Sequence, residues 1–310
     1  MELLILGIGA AIGFFAGRRK GGPPSSTMSA DSIGVARKKS EYDLKHFVPD
    51  LQGYTKELIT NFGSDFLRCA PIVYPALTSD DRISYAKGIV RIAARRYGVQ
   101  IQNLGIRFAR KSVGREAGSL RQVGDRFFLD VLELYKDNDV ALHAIIAHEM
   151  AHFALAKKSL RIEDKQKNEE LTDALTVLAG FGPIVLQAYY TEINVQNERV
   201  EACAIFGLGY LHPSALAYLT LIQAEVSGVR GKLDEKFDSP WMTEPRVLWQ
   251  QLSERQRSTE NASGLTACLI CSELLAPPDP GTSQMTTCRL CRYTQYYPLQ
   301  TPKTESPPDR

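Results

Sequence analysis

His148 and His152 stand four residues apart, with Glu149 directly after the first, inside the apolar run LHAIIAHEMAHFALAKK from Leu142 to Lys158. On a helix, positions i and i+4 share a face, so both imidazoles can address one ion while the carboxylate sits beside that face. Zinc chemistry needs this division of labour. Neutral nitrogen donors leave the ion electrophilic, and a carboxylate that does not ligate takes a proton from the water the ion polarises. Leucine or alanine would pack in such a run at no desolvation cost. Buried histidines beside a buried glutamate need a partner, and a metal supplies one.

A catalytic zinc takes three protein side chains and keeps one position open, so the two histidines leave the site one ligand short. The segment KNEELTDALTVLAGFG supplies it: Glu169 and Asp173 lie four apart on one helical face, and Ala174, Val177 and Leu178 continue that helix into the core. Glu169 is the expected third ligand. Asp173, one turn on, is placed to accept a hydrogen bond from the far nitrogen of a ligand histidine and fix its tautomer. An acidic first turn favoured by the helix dipole accounts for some of this charge, and Glu170 serves that role as well.

The order His148-Glu149-Met150-Ala151-His152, then Asn168-Glu169-Glu170-Leu171-Thr172-Asp173, resembles the gluzincin metallopeptidases. Thermolysin-type members carry His-Glu-x-x-His followed by Asn-Glu-x-x-Ser-Asp on the next helix; here threonine stands where serine is usual. The resemblance implies a zinc-dependent peptidase with His148, His152 and Glu169 as ligands, Glu149 as the base and Asp173 behind a ligand. It also implies a sheet whose edge strand binds extended peptide, and DRFFLDVLELY, just before the first helix, is the expected edge. Such enzymes take a histidine or tyrosine from downstream to stabilise the oxyanion. GYLHPS offers Tyr210 and His212, of which His212, directly before Pro213, also suits a plain helix start. His143 lies off the ligand face and is expected in the core; His46 has no ligand spacing.

A second metal signal lies near the C-terminus. Cys268/Cys271 and Cys288/Cys291 are two close pairs with sixteen residues between them, the spacing of a zinc ribbon, whereas Cys69 and Cys203 are isolated. Four thiolates close a coordination sphere, so this ion is expected to be structural and to hold a segment too short for its own core. The same donors also suit iron. Arg289, Arg292, Tyr293, Tyr296 and Tyr297 give the ribbon a basic, aromatic flank that does not choose between protein and nucleic acid as a contact.

The elements that must position these groups belong to a chain of 310 residues with 44% hydrophobic and 23% charged residues, an ordinary globular composition. A net charge of +2 with no long basic tract argues against nucleic acid as the main partner. Residues 1–20 read as a membrane anchor, uncharged from Leu3 to Gly17 and followed by Arg18, Arg19 and Lys20. That run covers about 22 Å of a hydrocarbon core about 30 Å thick, a short single span. Cations after it place the remainder in the cytoplasm, in keeping with reduced cysteines. Gly9, Gly13 and Gly17 repeat on one face, which would allow a homodimer. Asn261 in NAS would accept a glycan only on a lumenal domain.

Residues 21–40 read as a flexible tether, 41–257 as the peptidase-like domain, 258–265 as a linker, 266–297 as the ribbon and 298–310 as a disordered tail. Within the domain, SDDRISYAKGIVRIAARRYG predicts a helix capped by Ser79 and stopped near Gly98. IQNLGIRFAR and DRFFLDVLELY predict a small antiparallel sheet. Helices are predicted from Asp137–Asp139, from about Asn168, and over Val195–Phe206, His212–Val226 and Glu244–Arg257. The expectation is an α+β, mainly helical zincin-like fold. It serves a membrane-tethered endopeptidase with one catalytic and one structural zinc, acting on peptide or protein substrates. The alternative is a non-catalytic zinc-binding membrane scaffold.

Overall fold

The computed structural model describes residues 43–73, 80–110, 117–189, 191–197, 200–206, 210–237, 239–257, 267–275 and 285–296. The expected anchor, tether, linker and tail lie outside them, as do Ser79 and Tyr297.

Helix α1, Leu44–Phe62, begins where the Asp43 side chain accepts from the Lys45 amide. It buries Leu44, Val48, Leu51, Thr55, Leu58 and Ile59, an i, i+3/i+4 stripe. Helix α2, Arg82–Arg96, is capped by Asp81 and buries Tyr85, Ala86, Ile89, Val90, Ala93 and Ala94 on the same logic. Gly98 follows it at φ +63°, the left-handed conformation that glycine adopts without penalty.

The sheet that follows is mixed rather than antiparallel. Strands β1 (Leu104–Ala109), β2 (Gly118–Val123) and β3 (Arg126–Leu132) lie in the order β1-β3-β2. A two-residue turn, Gly124–Asp125 with Gly124 at φ +62°, joins β2 to β3 with Val123 opposite Arg126. β1 instead pairs parallel to β3, from Leu104 opposite Phe127 to Ala109 opposite Leu132. Alternation identifies a strand but carries no information on which neighbour it pairs with, and the expected geometry fails for that reason. The expected substrate edge is corrected too: β3 is the central strand, paired on both sides, and β1 and β2 are the edge strands among the described residues.

Helix α3, Asp139–Lys157, is capped by the Asn138 side chain accepting from Ala141 and is buried on nearly all sides. Leu120, Phe127, Leu129 and Val131 of the sheet belong to the same core. Helix α4, Lys165–Thr176, starts at the cap Asp164, a turn earlier than the sequence pattern suggests. It runs through a wide turn at Val177–Phe181 into helix α5, Gly182–Ala188. Gly180 sits there at φ +91°, and its carbonyl accepts from the Ile72 amide at 2.8 Å. The Arg96 guanidinium bonds the adjacent Ala179 carbonyl at 2.6 Å, leaving no room for a side chain at 180.

The 24-residue run Lys165–Ala188 is the one described helix long and apolar enough to cross a membrane, and its apolar window is 94% buried within the fold. Here that length serves the core. The expected helix over Val195–Phe206 is a hairpin, β4 (Thr191–Asn197) against β5 (Val200–Phe206). Its register runs from Thr191 opposite Phe206 to Asn197 opposite Val200, so the chain here is extended, with a period of two rather than 3.6. Helix α6, Pro213–Val226, is buried along most of its length, and α7 (Arg230–Lys236) and α8 (Thr243–Arg257) follow. Short strands β6 (Met285–Thr287) and β7 (Thr294–Tyr296) pair within the ribbon.

Candidate metal centres

Helices α3 and α4 pack so that Nε2 of His148 and Nε2 of His152 lie 3.3 and 3.0 Å from Oε2 of Glu169. Ligand atoms of the three side chains fall within 4.8 Å of one another. Glu169 is 1% exposed, and its Oε2 has no hydrogen-bond partner among the described residues. A buried carboxylate oxygen facing two imidazole nitrogens is costly unless something positive joins them. Two imidazole nitrogens and one carboxylate oxygen are the protein donors that an open zinc site uses, so the residues fit the ion.

The groups behind the ligands decide which ring nitrogen faces it. Oδ1 of Asp173 lies 3.0 Å from Nδ1 of His148. Its Oδ2 accepts from the amides of Tyr210 at 2.5 Å and Leu211 at 2.9 Å. A carboxylate only accepts, so Nδ1 of His148 carries the proton and Nε2 offers its lone pair. On the other histidine, Nδ1 lies 3.1 Å from the Thr172 hydroxyl. The Tyr210 ring lies nearly parallel to that of His148, 16° apart with centroids at 6.5 Å.

Charge follows the same contacts. Burial works against a charge on His148, but the Asp173 and Glu169 carboxylates beside it outweigh this and hold its pKa up, at about 10. Burial pushes Glu169 the other way, yet His148 and His152 bring it down to about 2. Metal-free, the pocket therefore holds a proton between carboxylates, where the ion would supply the positive charge.

Glu149 is buried beside this group without joining it. Desolvation raises its pKa, partly offset by His152 and His148, and the Leu120 amide of β2 bonds it. The strand comes this close because residue 118 is glycine. A Cβ there would meet Cγ2 of Ile145 at 2.5 Å and Cγ and Oε1 of Glu149 at 3.1 and 3.3 Å. Thus an edge strand, β2, and not the central β3, abuts the candidate base.

The remaining histidines lie elsewhere. His212 is the N-cap of α6: its Nδ1 accepts from the Ser214 amide at 3.2 Å, and its ring stands edge-on to Trp241. His143 is fully buried against Phe181, neither ring nitrogen has a hydrogen-bond partner among the described residues, and burial lowers its pKa to about 4. His46 pairs loosely with Asp43 at the surface. Sequence reasoning misses Gly118, Leu120 and Thr172. Only Thr172 left a trace, three residues after Glu169 on the face that carries the ligand.

The second centre is built from two near-identical turns. In each, the residue after the second cysteine is left-handed, Ser272 at φ +57° and Arg292 at +62°. Its amide returns to the first cysteine's carbonyl, Ser272 to Cys268 at 2.9 Å and Arg292 to Cys288 at 3.0 Å. The four thiols are buried, none is in a disulfide, and Sγ atoms approach to 3.4 Å (Cys268–Cys291) and 3.7 Å (Cys271–Cys288). Such crowding suits four thiolates around one cation. Gln295 links the turns, accepting from the Leu269 amide and donating to the Ala267 carbonyl.

The cysteine turns are seated on the helices. Gln52 of α1 donates to the Leu269 carbonyl at 2.8 Å and accepts from the Ser272 hydroxyl at 2.6 Å, so one side chain reads the first turn twice. Lys56 pairs with Glu273 at 2.9 Å, and Tyr293 packs edge-on against Trp249 of α8. Of the expected basic and aromatic flank, Tyr293 is the residue that packs on α8.

No family model matches the chain, and neither a curated protein nor a solved structure matches it. The geometry defines an α+β, mostly helical protein. Two groups of converging side chains, His148/His152/Glu169 and the four cysteines, are compatible with zinc.

Proposed function

We propose that this chain is a zinc-dependent endopeptidase with Glu149 as its general base. One observation carries this reading: Glu149 is buried against the converging ligands yet is not among them. A site that holds zinc for structure alone has no use for such a carboxylate. A zinc ion held by His148, His152 and Glu169 supplies Lewis acidity toward a water and the scissile carbonyl. Glu149, whose proton affinity is raised by burial, accepts the attacking water's proton and passes it to the leaving amine. The edge strand β2 holds an extended peptide by strand addition, next to the base that Leu120 orients. Tyr210, stacked over His148, is a better candidate for the oxyanion donor than His212, whose Nδ1 caps α6. Attachment to a membrane through residues 1–20, with the domain on the cytoplasmic side, belongs to the same proposal and rests on sequence alone.

Elemental analysis and hydrolysis of unfolded casein test it together. Wild type is expected to carry two zinc ions, His148→Ala one, and Glu149→Gln two with hydrolysis reduced about 10²–10⁴-fold. Full hydrolysis by Glu149→Gln, or zinc in the ribbon alone, would overturn the enzymatic reading in favour of a metal-binding scaffold.

A further inference from the structure

The two ligand histidines have different supports. Behind His148 stands a carboxylate, Asp173; behind His152 stands a neutral hydroxyl, Thr172, fully buried on α4. Thr172 Oγ1 also lies 2.8 Å from the Asn168 carbonyl one turn back, to which it donates. A hydroxyl has a single proton and two lone pairs. With that proton directed at Asn168, the oxygen can only accept from Nδ1 of His152, and Nε2 is left as the ring's ligating atom.

Asn168 does not provide this support itself: its side-chain oxygen accepts from the Ile162 amide at 3.2 Å and orders the loop before α4. The hydrogen bond at Nδ1 of His152 is the one with Thr172.

We propose that Thr172 is a positioning residue for the metal centre, holding His152 with Nδ1 protonated and Nε2 turned to the ion through the relay His152–Thr172–Asn168. The inference rests on the metal site proposed above, though not on its being catalytic. Because the partner is neutral, it orients the ring without adding a second anion behind the ligands, which already include Glu169. The centre thus combines one histidine made strongly basic by a carboxylate with one that is merely aimed. An ion between them keeps more of its electrophilic character than one backed by two carboxylates.

The test is zinc affinity of the full chain, measured by competition with a chromophoric chelator after the ribbon is loaded. Thr172→Val keeps the volume and removes the hydroxyl; affinity is expected to fall about 10–100-fold. Thr172→Ser should restore it to within about threefold of wild type, since only the hydroxyl matters. Thr176→Val is the control, because Thr176 makes the same helix back-bond, to the Thr172 carbonyl at 2.8 Å, and touches no ligand. Its zinc affinity should not change.

Equal affinity in Thr172→Val and wild type would overturn the inference. So would an equal loss in Thr176→Val, which would make the effect a matter of helix packing. Should Thr172→Val not fold, nitrogen-15 spectra of the zinc-loaded wild type decide: coordination of His152 through Nε2 with a slowly exchanging Nδ1 proton supports the relay, and coordination through Nδ1 overturns it. A wild type that binds no zinc outside the ribbon fails the metal reading itself, a result distinct from loss in the valine variant alone.

Discussion

The two candidate metal centres solve opposite problems with different chemistry. The cysteine centre is closed: four sulfurs converge, the flanking amides are tied to the same two turns, and Gln295 ties the turns together. The histidine centre is asymmetric: three ligands lie on one side, and a carboxylate that does not ligate stands beside them. The first arrangement makes a fold where short strands β6 and β7 have little core of their own. The second stands on a core that already exists, to which α3, α4 and α6 contribute buried apolar residues such as Ile146, Leu171 and Leu219. Metal is therefore expected to be a folding ligand at one centre and a chemical reagent at the other.

The largest effect that would break this contrast is on the ribbon. Structural zinc in small modules contributes about 10–16 kcal/mol at neutral pH, comparable to the whole stability of a typical domain, about 5–15 kcal/mol. Cys288→Ser should release one zinc of the two and unfold the two cysteine turns with strands β6 and β7, while the His148, His152 and Glu169 site keeps its ion and its hydrolytic rate within about threefold. Zinc content, with thermal melts of both proteins, reads this directly. Loss of both ions would show that the centres are one cooperative unit.

Proton competition separates the centres further. His148 in the metal-free fold has its pKa raised from 6.5 to about 10. Its contribution to metal-free stability is thus complete below about 6.5 and is lost as pH rises through about 10. Glu169 has the opposite sign: lowered from 4.5 to about 2, it contributes above 4.5 and loses that contribution as pH falls through about 2. Zinc must expel the His148 proton, so affinity at this site should rise about tenfold per pH unit between pH 6 and 9. Competition titrations at pH 6, 7 and 8, with the ribbon already loaded, measure the slope. A flat profile would mean that His148 is already neutral and that Asp173 supports it less than the geometry indicates.

How much of this was legible before the fold was known follows from the range of each interaction. His148, His152, Glu169 and Asp173 are set by helical periodicity, and the cysteines by turns of four residues, so their grouping could be read from spacing. The support around them depends on partners far along the chain. Asp173 is held by amides 37 and 38 residues downstream, and Gln52 meets Leu269 across 217 residues. No local pattern encodes either. The strand errors have the same origin: FFLDVL alternates equally well at the centre or the edge of a sheet, and only pairing with β1 makes β3 central. At Val195–Phe206 a mixed apolar pattern fits either period, and the backbone takes the extended one, paired as β4 against β5.

The approach of β2 to Glu149 gives a smaller, sharper test of the reactive centre. Gly118→Ala places a methyl 2.5 Å from Ile145 Cγ2, and the strand must retreat. The expected cost is about 1–3 kcal/mol of stability. Hydrolysis should fall more than zinc affinity, because the strand orients the base and not the ligands. Equal loss of both would mean that β2 supports the helix as a whole rather than Glu149.

The smallest predicted effect concerns what joins the two centres. Gln52 makes two hydrogen bonds to the Cys268–Cys271 turn from the face of α1, and two residues on Tyr54 bonds Oε2 of Glu170, the neighbour of the ligand Glu169, at 2.8 Å. If the ribbon steadies the reactive centre, it does so through this short stretch of α1. Gln52→Ala removes the dock without touching either set of ligands, at about 0.5–1.5 kcal/mol for each lost bond. Melting should drop by a few degrees, with both zinc ions retained. A change in zinc affinity at the histidine centre larger than about threefold would show that α1 carries a coupling from one ion to the other. An unchanged affinity with a lowered melting temperature would show that the ribbon is fastened to the domain and does not govern it.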